Sequence, residues 1–257
     1  MKPYFEQGSI RVFCGDARDV MPRIADQLEI VSAVIADPPY GVTSLAWDVW
    51  PIAWPMAVAQ NVPEVASLWC FGSMRMFLDH AVDFAGAGWK YAQDIVWEKQ
   101  NGSGFDAERF RRVHEHALMF YQGPWDDVAK QPQVTHDATA RKAVRKAVRK
   151  AVKHTGEIGP STYESEDGGP RLMRSVLRVP NCHGDDDVFN ETQKPIGIVE
   201  PLIRYSLGGG ALLDPFCGSG TALVVAKQMG ASAIGIDLRE EQCEATAKRL
   251  VQTMRLA

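Results

Sequence analysis

Short apolar runs and helical patterns alternate in two stretches of the chain. The first stretch has apolar runs at 30–36 and 65–71, and the second has them at 211–214 and 232–237. Compact runs rich in β-branched residues predict buried strands, whereas the apolar spacing at 196–207 predicts a helix. Strands that alternate with helices indicate an α/β fold with a mostly parallel sheet.

The segment between the two stretches lacks this pattern. Charges, glycines and prolines replace the hydrophobic strands across 123–189. The sequence therefore predicts an insertion at 123–189 between two α/β halves, 1–122 and 190–257.

A fourfold-periodic basic repeat occupies residues 141–153 of this insertion. Alanine, arginine and lysine favour helix, and a period of four places the valines in one stripe, so we predict a basic amphipathic helix. Such a helix is typical of a solvated charged face, and of membrane-binding or calmodulin-binding helices. In a chain that carries excess acid, a concentration of cations also indicates contact with a phosphate backbone.

Composition limits the class of protein. The chain has 257 residues, 46% hydrophobic and 23% charged, which is typical of a globular protein. No N-terminal signal or membrane-length apolar run is visible, so we expect a cytoplasmic protein with no membrane partner. The net charge of -4 excludes a protein that is basic throughout, but not a local basic patch. The five cysteines lack Cys-x-x-Cys spacing, so we expect neither a disulfide framework nor a metal site.

The predicted strand at 30–36 stops abruptly at Asp37, Pro38, Pro39 and Tyr40. Two prolines make a rigid corner, and the carboxyl ends of strands in α/β sheets bind ligands. The corner offers a carboxylate, the Pro38 carbonyl and an aromatic face. Two acceptors and a stacking ring suit a planar base that carries an exocyclic amine. The simpler alternative is a tight turn with a partly buried tyrosine.

A glycine-rich bend follows the predicted strand at 211–214 and leads into a helix. The free N–H groups of a helix N-terminus favour a carboxylate or phosphate, but no P-loop lysine follows Gly220, which argues against a nucleoside triphosphate. Asp237 ends the next strand, about twenty residues later, where an acidic residue accepts hydrogen bonds from ribose hydroxyls. These features indicate a ligand with both adenosine and a carboxylate, and S-adenosylmethionine fits both.

Other polar residues are harder to interpret. Asp16 follows a predicted strand, and a helix-capping carboxylate is favoured over a nucleotide contact. The tryptophan- and proline-rich segment 47–55 is either a lid over the Asp37 corner or a packed loop. We assign no chemistry to His114, Glu115 or His116, because lone residues of these types are usually structural. The cluster of cysteine, histidine and aspartates at 182–187 matches no metal-site spacing and is interpreted as a solvated acidic loop.

Three motifs together resemble the beta class of DNA amino-methyltransferases. They are the Asp-Pro-Pro-Tyr sequence at 37–40, Thr-Gln-Lys-Pro at 192–195 and Asp-Pro-Phe-Cys-Gly-Ser-Gly-Thr at 214–221. In this class the catalytic tetrapeptide precedes the cofactor-binding glycine loop, and a target-recognition region lies between them. The resemblance covers almost the whole chain. It implies a Rossmann-like methyltransferase fold with a seven-stranded, mostly parallel sheet in circularly permuted motif order. It also implies S-adenosylmethionine as cofactor.

The resemblance also implies roles for individual residues. The catalytic residues would be Asp37, Pro38, Pro39 and Tyr40. The cofactor-binding residues would be Asp16, Ala17, Thr192, Lys194, Pro195, Asp214, Phe216, Gly218, Ser219, Gly220, Thr221 and Asp237. Among these, Asp214 would lie at the methionine end, Thr192 and Lys194 near the carboxylate, Asp237 at the ribose and Asp16 at the adenine amine. The DNA-binding residues would be Arg141, Lys142, Arg145, Lys146, Arg149, Lys150 and Lys153. One departure is Asn190-Glu191, where the family often has His-Pro, so the polar contact from position 190 is not carried over.

The resemblance predicts methylation of adenine N6 in double-stranded DNA after base flipping. Aspartate at the first position of the tetrapeptide resembles the adenine-N6 branch, whereas serine is more usual in cytosine-N4 enzymes. The alternatives are a cytosine-N4 methyltransferase and, in another class, a cofactor- and DNA-binding module without turnover. The halves 1–122 and 190–257 would be catalytic and cofactor-binding, with target recognition in 123–189. We expect a bacterial or phage-encoded protein; a homodimer and a companion restriction enzyme are left open.

Overall fold

The structure is a computed structural model in which two compact units are distinguished. One unit contains Met1–Gln131 and Ser175–Ala257, and the other contains Pro132–Arg174. The second unit falls inside the predicted insertion 123–189. The residues that the structure describes are 1–41, 45–103, 108–145, 161–182 and 193–253.

The described residues form strands, α-helices and two short 3₁₀-helices. The strands are β1 (Phe5–Gln7), β2 (Ile10–Cys14), β3 (Val31–Ala36), β4 (Ser67–Gly72), β5 (Lys90–Ser103), β6 (Arg112–Tyr121), β7 (Val134–Thr135), β8 (Arg141–Arg145), β9 (Ser161–Ser165), β10 (Arg171–Leu172), β11 (Val176–Arg178), β12 (Ala211–Asp214) and β13 (Ala233–Asp237). The α-helices are α1 (Ala17–Val20), α2 (Ala25–Leu28), α3 (Trp54–Asn61), α4 (Met74–Asp79), α5 (Ala81–Gly86), α6 (Ile196–Ser206), α7 (Thr221–Gln228) and α8 (Glu240–Gln252). The 3₁₀-helices are Met21–Ile24 and Trp125–Asp127.

The first unit is built on a nine-stranded sheet in the order β1-β2-β13-β12-β3-β4-β6-β5-β11. The five strands from β2 to β4 are parallel, while β6 runs antiparallel to both β4 and β5. The Rossmann-like α/β prediction is confirmed. Nine strands are found where seven were predicted, because the three-residue strands β1 and β11 extend the two edges.

Both faces of this sheet are covered by helices. Along β3, Val34 and Ala36 pack with residues of α1 to α5, whereas Ala33 and Ile35 pack with residues of α6 to α8. Successive side chains of a strand point to opposite faces, so a strand that is covered on both sides is apolar throughout. This double burial explains the uninterrupted apolar run that precedes Asp37.

The helical segment that follows β4 is divided into α4 and α5. Between α4 and α5, His80 stacks on Trp50 with ring centroids 3.9 Å apart and an interplanar angle of 9°. Trp50 Nε1 also donates a hydrogen bond of 2.9 Å to Asp83 Oδ2. These contacts place the break between α4 and α5 beside the tryptophan-rich segment 47–55. Two of its tryptophans, Trp50 and Trp54, are buried.

The second unit contains two small antiparallel ladders, β7 with β10 and β8 with β9. The predicted basic helix is wrong for Arg141–Arg145, which form strand β8. Because four is an even number, each residue type of the repeat recurs on one face of a strand, so the repeat does not exclude a strand. Cross-strand pairing with β9 then decides, since Lys142 Nζ lies 3.0 Å from Glu164 Oε1 of the partner strand. Residues 146–153 of the repeat lie outside the described residues.

Candidate active site

The carboxyl ends of the parallel strands meet at a cavity of about 820 Å³ in the first unit. The chain leaves β3 at Asp37, while β12 and β13 end at Asp214 and Asp237. All three carboxylates line the cavity, whose volume is that of a typical ligand site. The predicted site residues that line it are Asp16, Ala17, Asp37, Pro38, Pro39, Tyr40, Lys194, Asp214, Phe216, Gly218, Ser219, Thr221 and Asp237.

Asp37 is held by two donors. The Tyr40 hydroxyl donates a hydrogen bond of 2.8 Å to Oδ1, and the Lys194 ammonium donates one of 2.5 Å to Oδ2. Burial and the Asp37 carboxylate raise the pKa of Tyr40 well above its ordinary value, so its hydroxyl stays a donor. Each carboxylate oxygen has a second lone pair. Asp37 is therefore fixed in place and can still accept hydrogen bonds from a ligand.

Lys194 also faces a second carboxylate. Its Nζ lies 3.8 Å from Glu115 Oε2, and Lys99 donates a hydrogen bond to Glu115 Oε1. Burial opposes the charge of Lys194, but Asp37 and Glu115 outweigh it and raise the pKa of Lys194. Burial likewise opposes the charge of Glu115, but Lys194 and Lys99 lower its pKa. We call Lys99, Glu115, Lys194 and Asp37 the ion chain, in which positive and negative groups alternate.

The part of the cavity wall at the ends of β12 and β13 carries two further carboxylates. Asp237 accepts hydrogen bonds from the N–H groups of Gly218 at 2.8 Å and Arg239 at 3.0 Å. Asp214 accepts one from the Phe216 N–H at 3.1 Å. Burial raises the pKa of Asp214 well above its ordinary value, against the lowering effect of that N–H. A buried carboxylate with a raised pKa is stabilised by a cationic ligand, and the ammonium group of S-adenosylmethionine supplies one.

The glycine-rich loop between β12 and α7 has a fixed shape. Gly220 has a φ of +76°, and a Cβ atom there would lie 2.6 Å from Thr246 Cγ2. The first condition disfavours any L side chain, and the second excludes one sterically. Gly220 therefore supports the loop from behind and is not a lining residue. Pro195 is also outside the lining and precedes the first turn of α6.

Asp16 is the N-cap of α1. Its Oδ1 accepts a hydrogen bond of 2.9 Å from the Arg18 N–H, and its Oδ2 lies 2.5 Å from the Arg18 guanidinium. These bonds lower the pKa of Asp16. Nearby, the Arg239 guanidinium lies 5.1 Å from the ring centroid of Trp47, which belongs to the segment 47–55. The segment is packed at two other tryptophans, yet Trp47 lines the cavity.

The DNA methylase family, N6_N4_Mtase, matches residues 31–248. The chain belongs to the N6/N4 DNA methylase family. This finding confirms the resemblance drawn from the three motifs.

Relatives of this DNA methylase include type II enzymes. The chain is 26% identical to the type II methyltransferase M1.MboII of Moraxella bovis, over 84% of this chain and 88% of the relative. It is 23% identical to M.HinfI of Haemophilus influenzae, over 77% of this chain and 49% of the relative. Among solved structures, the M1.HpyAVI complex with SAM superposes with a TM-score of 0.60 at 21% identity, covering 94% of this chain and 99% of that one. The cytosine-N4-specific PvuII DNA methyltransferase gives 0.65 at 15% identity, covering 96% and 88%.

Glu115 and Lys99 line the cavity of this DNA methylase, although no role was predicted for either residue. Both occupy inward-facing positions, since Glu115 lies two residues before the buried Ala117 and Lys99 two residues after the buried Trp97. A charged residue at a position where period-two alternation predicts burial is the signal that was available.

The predicted DNA-binding residues are only partly described. Arg141 and Lys142 are exposed on β8, and Arg145 ends that strand. Lys146, Arg149, Lys150 and Lys153 lie outside the described residues, as does Thr192. Within the described ranges, no group of three or more His, Cys, Asp and Glu side chains is placed to hold a metal ion. The helices in those ranges are all too short or too polar to cross a membrane.

Proposed function

We propose that this DNA methylase transfers a methyl group from S-adenosylmethionine to N6 of an adenine that is flipped out of double-stranded DNA. The observation that carries the proposal is Asp37, a carboxylate that is fixed by two donors and lines a cavity of ligand size. Aspartate at this position resembles the adenine-N6 branch of the family. The second candidate is transfer to cytosine N4, the base named for the PvuII enzyme that shares this fold.

Asp37 and the Pro38 carbonyl carry out the activation in this proposal. The lone pair of the amine is delocalised into the base ring, so the nitrogen is a poor nucleophile. Two acceptors that grip its hydrogens localise that lone pair, and Tyr40 stacks on the ring. When bound, S-adenosylmethionine supplies an electrophilic methyl group for direct transfer to the amine nitrogen, without a covalent enzyme intermediate. Asp37 then takes the proton that the nitrogen releases.

The part of the cavity wall at the ends of β12 and β13 would hold the cofactor. Asp214 would accept from its ammonium group, Asp237 from the ribose hydroxyls and Asp16 from the adenine amine. Phe216 and the glycine-rich loop would enclose the methionine end. The raised pKa of Asp214 supports this placement, because a cation relieves the unfavourable burial of its carboxylate.

The insertion 123–189 is proposed as the target-recognition region, with Arg141 and Lys142 among its phosphate contacts. A non-catalytic module that binds DNA and cofactor is the third possibility. The ion chain argues against a non-catalytic module, because a module without turnover would not need Asp37 held so firmly beside the cavity.

Product analysis tests the proposal. The protein is incubated with unmethylated genomic DNA and labelled S-adenosylmethionine, and the DNA is digested to nucleosides that are identified by mass. N6-methyladenine is the expected product, and Asp37→Ala protein prepared in parallel is the control for contaminating activity. Detection of N4-methylcytosine would instead identify cytosine as the target base. Absence of label in DNA from a protein that binds the cofactor would overturn the proposal.

A further inference from the structure

Asp37 and Lys194 present an acceptor and a donor side by side on the cavity wall. Asp37 Oδ2 and Lys194 Nζ are 2.5 Å apart, and both residues line the cavity. A flipped base is read along its Watson–Crick edge. On that edge the exocyclic amine of adenine is a donor, and the neighbouring N1 is an acceptor. The acceptor and the donor of the protein therefore lie in the order that complements the amine and N1 of adenine.

We propose that Lys194 donates a hydrogen bond to the ring nitrogen beside the target amine, rather than to the carboxylate of the cofactor. The inference rests on the proposed function, because it assigns the base-binding end of the same site. The proposed hydrogen bond from Lys194 fits N1 of adenine and N3 of cytosine equally well. Guanine and thymine present a carbonyl and an N–H at the corresponding positions, so both protein groups would meet the wrong partner.

The surroundings of Lys194 fit a fixed donor. Its side chain is 11% exposed, and its ammonium lies 5.7 Å from the ring centroid of Tyr40 and 5.4 Å from that of Phe71. Glu115 holds the ammonium from a second direction at 3.8 Å. Lys99 in turn fixes Glu115 by a hydrogen bond.

The charge of Lys194 is maintained in the same way. Asp37 and Glu115 raise its pKa in spite of burial, so the group is an ammonium at neutral pH. An ammonium has three protons. Asp37 accepts one of them, and Glu115 at 3.8 Å is an ionic neighbour beyond hydrogen-bond distance, so a proton of Lys194 can be donated to the base. Glu115 and Lys99 are thus positioning residues for base recognition.

A double-mutant cycle between protein and base tests the inference. Single-turnover methylation is measured for wild type and Lys194→Met on duplexes with adenine or 1-deazaadenine at the target position. Each single change is expected to slow methylation about tenfold to a hundredfold, the range for a hydrogen bond to a charged group. The loss for the double change is expected to be clearly smaller than the product of the two single losses, because the two changes remove halves of one interaction. Lys194→Met also removes a donor that fixes Asp37, so a residual loss on 1-deazaadenine is expected. Loss of N1 makes the amine intrinsically more nucleophilic, so slower methylation of 1-deazaadenine reports lost recognition.

Cofactor affinity separates the two roles of Lys194. By calorimetry, the Kd of Lys194→Met for S-adenosylmethionine is expected to stay within about twofold of wild type. Multiplicative losses in the cycle, or a large rise in that Kd, would overturn the inference.

Glu115→Gln is the second variant in case Lys194→Met does not fold. It is expected to slow methylation of adenine more than that of 1-deazaadenine. Glu98→Gln is the matched control, because Glu98 pairs with the exposed Arg178 and does not line the cavity. Equal losses of Glu115→Gln on both bases would contradict the inference. If product analysis gives cytosine, the same cycle with 3-deazacytosine tests Lys194 separately from the base assignment.

Discussion

Two regions of the cavity wall hold carboxylates in different electrostatic situations. In one region Asp37 has an ammonium at 2.5 Å, and the ion chain alternates in charge. In the other, at the end of β12, Asp214 accepts a hydrogen bond from a backbone N–H at 3.1 Å, and its burial raises its pKa. Asp37 is paired with a cation before a ligand binds, which suits a neutral base. Asp214 would be stabilised by a positive charge on a ligand, which suits a cofactor with an ammonium group.

Removal of the Asp37 carboxylate is expected to have the largest effect. Asp37→Ala should lower the methylation rate about a thousandfold, because the amine loses one of the two acceptors that activate it. Its affinity for S-adenosylmethionine should change less than about threefold. Single-turnover rates and calorimetry measure the two quantities. Near-normal turnover would show that Asp37 is not the activating group.

Asp214→Asn tests the region of the cavity wall at the end of β12. It should weaken cofactor binding about tenfold to a hundredfold, since a neutral amide cannot balance an ammonium group. Calorimetry measures the loss. An unchanged Kd would remove Asp214 from the cofactor site.

The same variant has a predicted effect on stability. A carboxyl whose pKa is raised on folding contributes stability at low pH, and this contribution is lost as pH rises from its ordinary value of 3.8 toward the raised value. The ligand-free variant should therefore lose less stability than wild type between about pH 4 and pH 7. Chemical denaturation over that range checks the sign. A steeper decline in the variant would contradict the burial of an ionisable Asp214.

Asp16→Asn gives the smallest expected effect. Asparagine keeps the helix cap but loses the charge that faces Arg18, and exposed ion pairs contribute about 0 to 1 kcal/mol. The free energy of unfolding should therefore change by less than about 1 kcal/mol. Cofactor affinity should fall about threefold to tenfold if Asp16 accepts from the adenine amine, as one hydrogen bond predicts. Unchanged affinity would limit Asp16 to capping α1.

Local sequence features predicted the sheet and the carboxylates at the ends of its strands. Asp37, Asp214 and Asp237 each follow a short apolar run, and parallel strands bring such ends together without further information. The ion chain was not predictable in this way. Glu115 and Trp97 face each other through the register of β5 and β6, and neither strand specifies that register alone.

The basic repeat is a second region whose structure the local sequence does not decide. Its composition favours helix, and its period of four is compatible with helix and strand alike. Residues 161–165 decide for a strand at Arg141–Arg145, because they supply a partner ladder. Propensity is a weak preference that tertiary pairing overrides.

The separation of the ion chain along the sequence sets an order of assembly during synthesis. Lys99 and Glu115 lie in the first half of the chain, but Lys194 follows Asp37 by 157 residues. Nascent chains fold from the N-terminus as they emerge from the ribosome. An incomplete chain that ends before Lys194 has Asp37 without its ammonium partner, and it has neither Asp214 nor Asp237. Translation therefore supplies Lys194, Asp214 and Asp237 late and nearly together, and under the proposed function a shorter product would lack the carboxylates that hold the cofactor.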